Sequence, residues 1–438
     1  MVWQYFVLLI TLGGIAVLIK RYPAWLVPVL VVSLALEVSR EWFPQIPYGP
    51  SEFGLLSFAR ILTYAILLGA AWEMFRSGHI WENIYTKLKW PLAVAVLLYL
   101  AVATGSFIVS LDKGKTGVEA VRLWVLFALM LAVWNYVGKR EFKYRTLWSS
   151  LAGVAVLLFP LTVYQYKTGH LLFLQAHYQV GLLRQINVTF VDTNIFARFM
   201  VLSAVACLIL GLSAKERRIK WLYQGAFLLS VGNIGLSMSR SGILTFSLVM
   251  VLLMILISWK RVGLWLLPTV GASVAYLLLN PALTSRLATL REGLGALDQQ
   301  RQYLIIAGLD MFQHHLVYGV GLGGYGQEFL RNYLTNYTVE GGATLSHTTV
   351  VTIAAELGIL GLGALLVVIV VLFWTYRHIS LRSKTGGLYA AGVVGMMAAI
   401  FLSSQAEGRL FEDPMLWVFL AVLNDLCQRA EGQMEVEL

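Results

Sequence analysis

Long apolar runs separated by short polar segments recur along the whole chain. Each run is about 20 residues long, the length of helix that crosses the hydrocarbon core of a bilayer. The predicted spans lie at 2–19, 22–38, 54–75, 90–110, 118–138, 146–166, 192–213, 220–238, 241–259, 263–280, 348–376 and 386–404, with a shorter thirteenth candidate at 414–427. The pattern predicts an all-α polytopic membrane protein of 12–13 transmembrane helices, forming a single membrane domain over residues 1–438.

The distribution of charge orients these spans. The chain is 58% hydrophobic and 13% charged, whereas soluble domains carry about 25% charged residues. The net charge of +10 does not indicate a nucleic-acid partner, because the basic residues form short clusters between the apolar runs. Loops holding 18 of the 33 Lys and Arg residues are predicted to be cytoplasmic by the positive-inside rule. The alternate loops, at 39–53, 111–117, 167–191, 239–240, 281–346 and 405–413, are predicted to face outward.

The outward segment 281–346 is the longest polar insertion and is the predicted location of catalytic elements. It contains four arginines and no lysine, and an arginine fork binds phosphate through two parallel hydrogen bonds. Helical spacing predicts an amphipathic helix over 298–316. Five glycines within 319–326 then predict a turn or a close backbone approach. Although 319–324 fits GxGxxG, no strand precedes it, so nucleotide binding is not favoured.

Three outward arginines are candidate phosphate ligands. Arg184 opens RQINVTFVDTN, Arg240 lies in a very short turn between two spans, and Arg301 begins the predicted amphipathic helix. For each one alone, the competing interpretation is a side chain that reaches the membrane surface. Arg240 has the strongest claim, because its turn is very short and Ser239 and Ser241 add donors beside it.

A second group of residues is predicted to line a polar cavity. Asn194 and Arg198 lie four positions apart, on one helical face, and a charge inside a span is costly unless it meets a polar environment. Ser239 is included because it flanks Arg240. Asp192-Thr193-Asn194 also has the composition of a helix cap. The sequence does not pair Arg198 with the other charges in or near spans, which are Arg60, Glu73, Arg122 and Glu356.

His347 is the candidate catalytic base. If Ser346 or Thr344 caps the following helix, His347 lies in its first turn, where the positive end of the helix favours the neutral imidazole. The alternative is a structural histidine at the membrane edge. Since the outward segments contain no HxxxH, HExxH or paired-acid cluster, the sequence predicts no obligatory metal and no cofactor.

Four segments in this order resemble the O-antigen ligase family, and the resemblance covers about residues 180–365. They are RQINVTFVDTNIFA (184–197), SMSRSG (237–242), RQYLIIAGLDMFQHHLVYGVGLGGYG (301–326) and SHTTVVTIAAELGILGLG (346–363). The family pattern has Asn directly after the motif histidine, where this chain has Thr348, so no role of that Asn is carried over.

The resemblance implies a GT-C-like, metal-independent, inverting glycosyltransferase of lipopolysaccharide biosynthesis. Its donor would be a glycan on undecaprenyl diphosphate, and its acceptor a hydroxyl of lipid A core or of another envelope glycan or lipid. The active site would face the periplasm from the bacterial inner membrane, in contact with membrane lipid. Carried over by motif, Arg240 and Arg301 would hold the diphosphate, with Arg184 as a third candidate, and His347 would take the acceptor proton.

Two alternatives stay open. A polymerase of the same superfamily would pass the glycan to another lipid-linked glycan. A transporter of lipid-linked sugar belongs to a different class, and transporters are commonly built from two related halves with broken spans. The concentration of polar residues in one outward loop favours an enzyme.

Overall fold

The protein is mostly helical in the part that the computed structural model describes, which is residues 2–45, 56–78, 80–170, 179–180, 183–279, 299–333, 346, 348–408 and 410–432. The helices of these residues are α1 (Val2–Arg21), α2 (Leu26–Leu34), α3 (Phe58–Ser77), α4 (Ile80–Leu88), α5 (Pro91–Gly105), α6 (Lys113–Val137), α7 (Tyr144–Thr168), α8 (Thr193–Ser213), α9 (Arg217–Ser237), α10 (Arg240–Leu256), α11 (Trp259–Leu279), α12 (Gln299–His314), α13 (Tyr325–Asn332), α14 (Thr349–Arg382), α15 (Lys384–Glu407) and α16 (Pro414–Glu431). Short 3-10 helices occur at Pro23–Trp25, Glu37–Trp42 and Ser106–Ile108. A two-residue antiparallel hairpin pairs β1 (Gln179–Val180) with β2 (Leu183–Arg184).

Each of the thirteen predicted spans coincides with a helix over its described residues. Eight helices within the described ranges are long and apolar enough to cross a membrane, and two shorter apolar helices lie at Pro23–Leu34 and Arg240–Leu256. The prediction of an all-α, polytopic membrane protein is therefore confirmed. The predicted amphipathic helix of the insertion is α12, which begins at Gln299.

Helix α8 is the central helix of the bundle. Within its most apolar window 89% of the residues are buried inside the protein, whereas the corresponding value for α1 is 11%. Helices α7, α9, α10 and α15 pack around α8. Because α8 is enclosed by protein rather than by lipid, a polar side chain near its first turns must find its partners on neighbouring helices.

A break in α14 at Gly358 attaches the glycine loop (residues 315–324) to the bundle. Gly358 has φ 63° and ψ −155°, a conformation that is essentially restricted to glycine. The backbone groups that the break frees pair with the glycine loop, because an unpaired peptide group away from water is costly. The bonds run from the N–H groups of Ile359 and Leu360 to the carbonyls of Leu316 and Val317, at 2.8 and 3.4 Å, and from the N–H groups of Val320 and Gly321 to the carbonyls of Ala355 and Glu356, both at 2.9 Å.

Glycines make this close approach sterically feasible. Gly319 and Gly321 have φ of +64° and +97°. A Cβ added at Gly319 would lie 2.5 Å from the Ala355 carbonyl oxygen, and one at Gly321 would lie 2.5 Å from the Cβ of Ser110. The turn or close backbone approach predicted from the glycine spacing is confirmed, and the partner that requires it is the broken helix α14.

The Gly358→Ala variant tests the break. We expect a loss of about 1–3 kcal/mol of stability, because alanine cannot adopt this backbone conformation without strain. The matched control is Gly363→Ala in the same helix, where an added Cβ meets no atom within 4 Å. The thermal denaturation midpoint of detergent-solubilised protein should fall for the first variant and not for the second. Equal midpoints would contradict the broken-helix geometry.

Candidate active site

The structure describes the predicted site residues to different extents. Arg240, Arg301, Asn194, Arg198 and Ser239 are described with their side chains. Only the backbone of Arg184 is described, in β2 opposite Gln179. His347 lies outside the described residues, so its role stays a prediction.

Arg240 is the first residue of α10 and is held in a small hydroxyl–amide network. Ser239 caps the helix by accepting the Gly242 N–H at 3.0 Å. The hydroxyls of Ser239 and Ser241 both donate to the Asn194 side-chain oxygen, at 2.7 and 2.9 Å. These bonds fix the turn that carries Arg240 against the start of α8.

The position of Arg240 is electrostatically unfavourable without an anion. The start of a helix carries partial positive charge, which disfavours a cation in the first turn. The Arg240 side chain is exposed and forms no salt bridge to another described residue. A bound phosphate would interact favourably with both the guanidinium and the helix start, so this turn is suited to binding an anion.

Asn194 and Arg198 have different partners although they share one face of α8. The cap of α8 is Asp192, which accepts the Asn194 N–H at 2.6 Å. Arg198 forms a salt bridge to Asp413 at 2.9 Å, and the two side chains are only 11% and 9% exposed. Asp413 also caps α16 by accepting the Met415 N–H at 2.8 Å, so the pair ties the start of α16 to α8.

Asp413 was not among the charges that the sequence singled out beside Arg198. Glu73 pairs instead with Lys139 at 2.7 Å, and Arg122 pairs with Glu119 and Glu412 at 3.0 and 3.2 Å. The salt bridge to Asp413 gives Arg198 a structural role in fixing two helices, and its role in lining a cavity stays a prediction.

The segment that follows Arg184 is fastened to the 3-10 helix Glu37–Trp42. Glu37 accepts the Val191 N–H at 2.7 Å, and the Thr189 hydroxyl donates to the Ala35 carbonyl at 2.6 Å. These contacts place the described part of this motif directly before the start of α8.

Arg301 lies in the first turns of α12 and is half-buried, with no salt bridge to another described residue. The inner face of α12 packs on α13 and α14 through one apolar cluster. The buried members of this cluster are Tyr303, Leu304, Ala307, Met311, Val320, Tyr325, Phe329 and Ala355. The Tyr325 hydroxyl also donates to the Leu304 carbonyl at 2.5 Å.

Helix α12 packs on the bundle through part of its apolar surface. Leu304, Ala307 and Met311 are buried in the cluster with α13 and α14, whereas Leu309 is 44% exposed. Because α13 lies more than ten residues further along the chain, helical spacing within α12 could not show which apolar residues would contact it.

Glu356 connects the glycine loop to α14 and was not predicted to do so. Its two carboxylate oxygens accept the N–H groups of Gly323 at 2.9 Å and Tyr325 at 3.3 Å. The side chain is buried, and bonds to backbone amides compensate for the loss of water. Two sequence features could have indicated this contact. They are an acidic residue two positions before Gly358 and the run of glycines at 319–326.

The start of α14 is tied to the end of α15. The Ser346 hydroxyl accepts the Thr348 N–H at 3.2 Å and pairs with the Thr352 hydroxyl at 2.8 Å. The Val350 N–H donates to the Gln405 side chain at 3.3 Å. Helix α14 begins at Thr349, with Thr348 as its cap residue. The expectation that Ser346 or Thr344 caps this helix is therefore wrong, because the Ser346 hydroxyl bonds within the turn that precedes the helix.

Helix α15 also links this segment to the helix of Arg240. The hydroxyls of Ser403 on α15 and Thr245 on α10 lie 3.4 Å apart, and Thr245 is one turn beyond Ser241. The Thr349 hydroxyl donates to the Ser404 carbonyl at 3.1 Å. Helix α10, which carries Arg240, and the start of α14 thus both contact the end of α15, and α12, which carries Arg301, packs on α14.

Comparison with protein families agrees with the motifs. Residues 225–366 match the model of the family described as O-Antigen ligase. The match contains Arg240, Arg301, Glu356 and the 346–349 segment, and it confirms the resemblance over this part of the chain. The segment 184–197 lies outside the match. No curated protein matches the chain.

Substitution of Arg198 tests whether the Arg198–Asp413 salt bridge stabilises the packing of α16 against α8. Arg198→Met leaves a buried carboxylate without its partner, and we expect a loss of about 3–5 kcal/mol. The control is Arg122→Met, because the Arg122 side chain is 47% exposed and such pairs contribute about 0–1 kcal/mol. Denaturation midpoints of the purified variants would measure the difference. If Arg198→Met cost no more than Arg122→Met, the structural role of the pair would be refuted.

Proposed function

We propose that this chain, which carries an O-antigen ligase family segment at residues 225–366, transfers a glycan from undecaprenyl diphosphate to an acceptor hydroxyl. The transfer is metal-independent and inverting, and the favoured acceptor is lipid A core or another envelope glycan or lipid. The observation that carries the proposal is the setting of Arg240. It combines an exposed guanidinium, a helix start and a turn fixed by Asn194, all within a family whose substrates are lipid-linked glycans.

Arg240 and Arg301 bind the diphosphate of the donor, and Arg184 is a third candidate. A diphosphate leaving group gains negative charge as its bond to the sugar breaks, so fixed guanidinium groups stabilise the transition state. Both described arginines lack a carboxylate partner among the described residues. Each can therefore bind phosphate without first breaking an internal salt bridge.

His347 is the proposed base for the acceptor. The acceptor oxygen attacks the anomeric carbon from the side opposite the diphosphate, and the proton of its hydroxyl passes to the imidazole. The carbon–oxygen bond to the diphosphate breaks in the same step, which inverts the configuration. The proposal is supported by the neighbours of His347, since Ser346 and Thr348 are held by hydrogen bonds to Thr352 and to α15.

The site faces the periplasm from the bacterial inner membrane in this proposal. The orientation rests on the concentration of Lys and Arg in the opposite loops. A lipid tail cannot enter water, so the donor must reach the arginines from the bilayer through an apolar opening between helices.

The identity of the acceptor distinguishes a ligase from a polymerase. Purified protein would be incubated with a glycan on undecaprenyl diphosphate and with either lipid A core or a second lipid-linked glycan. The proposal predicts transfer to lipid A core or another envelope acceptor. Transfer only to the second lipid-linked glycan would identify a polymerase instead, and movement of the donor across vesicles without transfer would identify a transporter.

Variants separate the roles of arginine and histidine. Arg301→Lys keeps the charge but loses the fork, so single-turnover transfer should fall about 10²-fold, or about 2.7 kcal/mol. His347→Ala should abolish most transfer and leave donor binding nearly unchanged, because a base for the acceptor acts in the transition state. The control is Arg331→Lys, an exposed arginine on α13, which should match the wild type. A His347→Ala variant that transfers normally, or that fails only because donor no longer binds, would refute the mechanism.

A further inference from the structure

Three metal-binding side chains meet at the end of α14 that lies farthest from the proposed active site. They are His378 of α14 and Cys427 and Glu431 of α16. The imidazole nitrogen, thiol sulfur and carboxylate oxygen all lie within 4.8 Å of one another. His378 Nε2 is 3.3 Å from Glu431 Oε1. None of these residues has a part in the proposed glycan transfer.

The two helices present these groups by their spacing and packing. Cys427 and Glu431 are four residues apart, so they lie on one face of α16. That helix packs along α14 and brings His378 opposite them. Trp374, one turn before His378, stacks on its ring with centroids 5.4 Å apart and planes 21° apart, which limits the orientation of the imidazole.

The cluster is accessible from one side. Cys427 is buried, the His378 side chain is 22% exposed and the Glu431 side chain is 48% exposed. An ion can therefore arrive from solution at Glu431 and His378 and reach the thiol behind them. The neighbouring basic residues Arg377, Arg382 and Lys384 mark this end of the bundle as the predicted cytoplasmic side.

We propose that His378, Cys427 and Glu431 bind one Zn²⁺ ion, with water as the fourth ligand. A nitrogen, sulfur and oxygen set suits a borderline metal such as zinc, whereas Mg²⁺ and Ca²⁺ prefer oxygen ligands alone. The Cys427 thiol loses its proton to solution when the ion binds, so affinity rises with pH. The bound ion fastens α14 to α16 at this end of the bundle.

Two features of the cluster are compatible with this proposal. Tetrahedral zinc with bonds of about 2.0–2.3 Å holds its ligand atoms about 3.4–3.8 Å apart, so the cluster must contract slightly. The exposed Glu431 carboxylate can make that movement. Glu431 also pairs with Arg382 at 3.6 Å, with both side chains nearly half exposed. Such a solvent-exposed pair is weak and does not prevent metal binding.

The chain has two cysteines, which provide a matched control. Tag-free, full-length protein in detergent would be dialysed against a chelator and titrated with ZnCl₂. We expect one Zn²⁺ per chain, and at least tenfold weaker binding for Cys427→Ser and for His378→Gln. Cys207→Ser, which changes the cysteine buried in α8, should bind like the wild type. Glu431→Gln removes one carboxylate ligand and should also weaken Zn²⁺ binding. Because the Glu431 side chain is exposed, this substitution does not disturb buried packing.

Two further readouts identify thiolate coordination. Zn²⁺ affinity should rise with pH, because the thiol must lose its proton to bind the ion. Co²⁺ in place of Zn²⁺ should give a thiolate-to-metal charge-transfer absorption that is lost in Cys427→Ser and retained in Cys207→Ser. Absence of stoichiometric Zn²⁺ binding, or binding that survives both Cys427→Ser and His378→Gln, would overturn the proposal. Neither result would bear on the glycan-transfer proposal.

Discussion

The break in α14 at Gly358 is the constraint on which the outer part of the structure depends. An apolar helix can satisfy its backbone groups only along its own axis, so a break requires outside donors and acceptors. The glycine loop supplies them through four backbone bonds, and Glu356 adds two more from its carboxylate. Through these bonds α12 and α13, which share a buried aromatic cluster with Val320 and Ala355, are docked onto a membrane helix.

A second set of contacts positions the turn of Arg240 on the central helix α8. Asn194 accepts both neighbouring serine hydroxyls, and Arg198, one turn further along α8, binds Asp413 at the start of α16. Arg240 places a cation at the positive end of a helix, which is electrostatically unfavourable. Unfavourable placements of this kind are expected at functional sites, where a ligand supplies the missing interaction. The proposed diphosphate is such a ligand.

The sequence was sufficient to predict features that depend on nearby residues. Apolar runs located thirteen helices because length and hydropathy are local properties. The five glycines of 319–326 indicated a close approach for the same reason. Pairings between distant residues were not accessible, since nothing near Arg198 specifies Asp413 and nothing near Gly323 specifies Glu356. The start of α14 at Thr349 was not predicted, because serine is a residue type that suits a helix cap. The Ser346 hydroxyl instead bonds within the turn before the helix.

In the proposed mechanism, Arg240, Arg301 and His347 converge on one diphosphate and its attacking hydroxyl. The most direct measurement is an electron cryo-microscopy structure of the protein bound to a non-transferable undecaprenyl diphosphate glycan. We expect diphosphate oxygens within hydrogen-bonding distance of the Arg240 and Arg301 guanidinium groups, with the His347 imidazole near the anomeric carbon. A structure in which His347 lies more than about 15 Å from both arginines would contradict it, because one diphosphate and one hydroxyl could not span that distance.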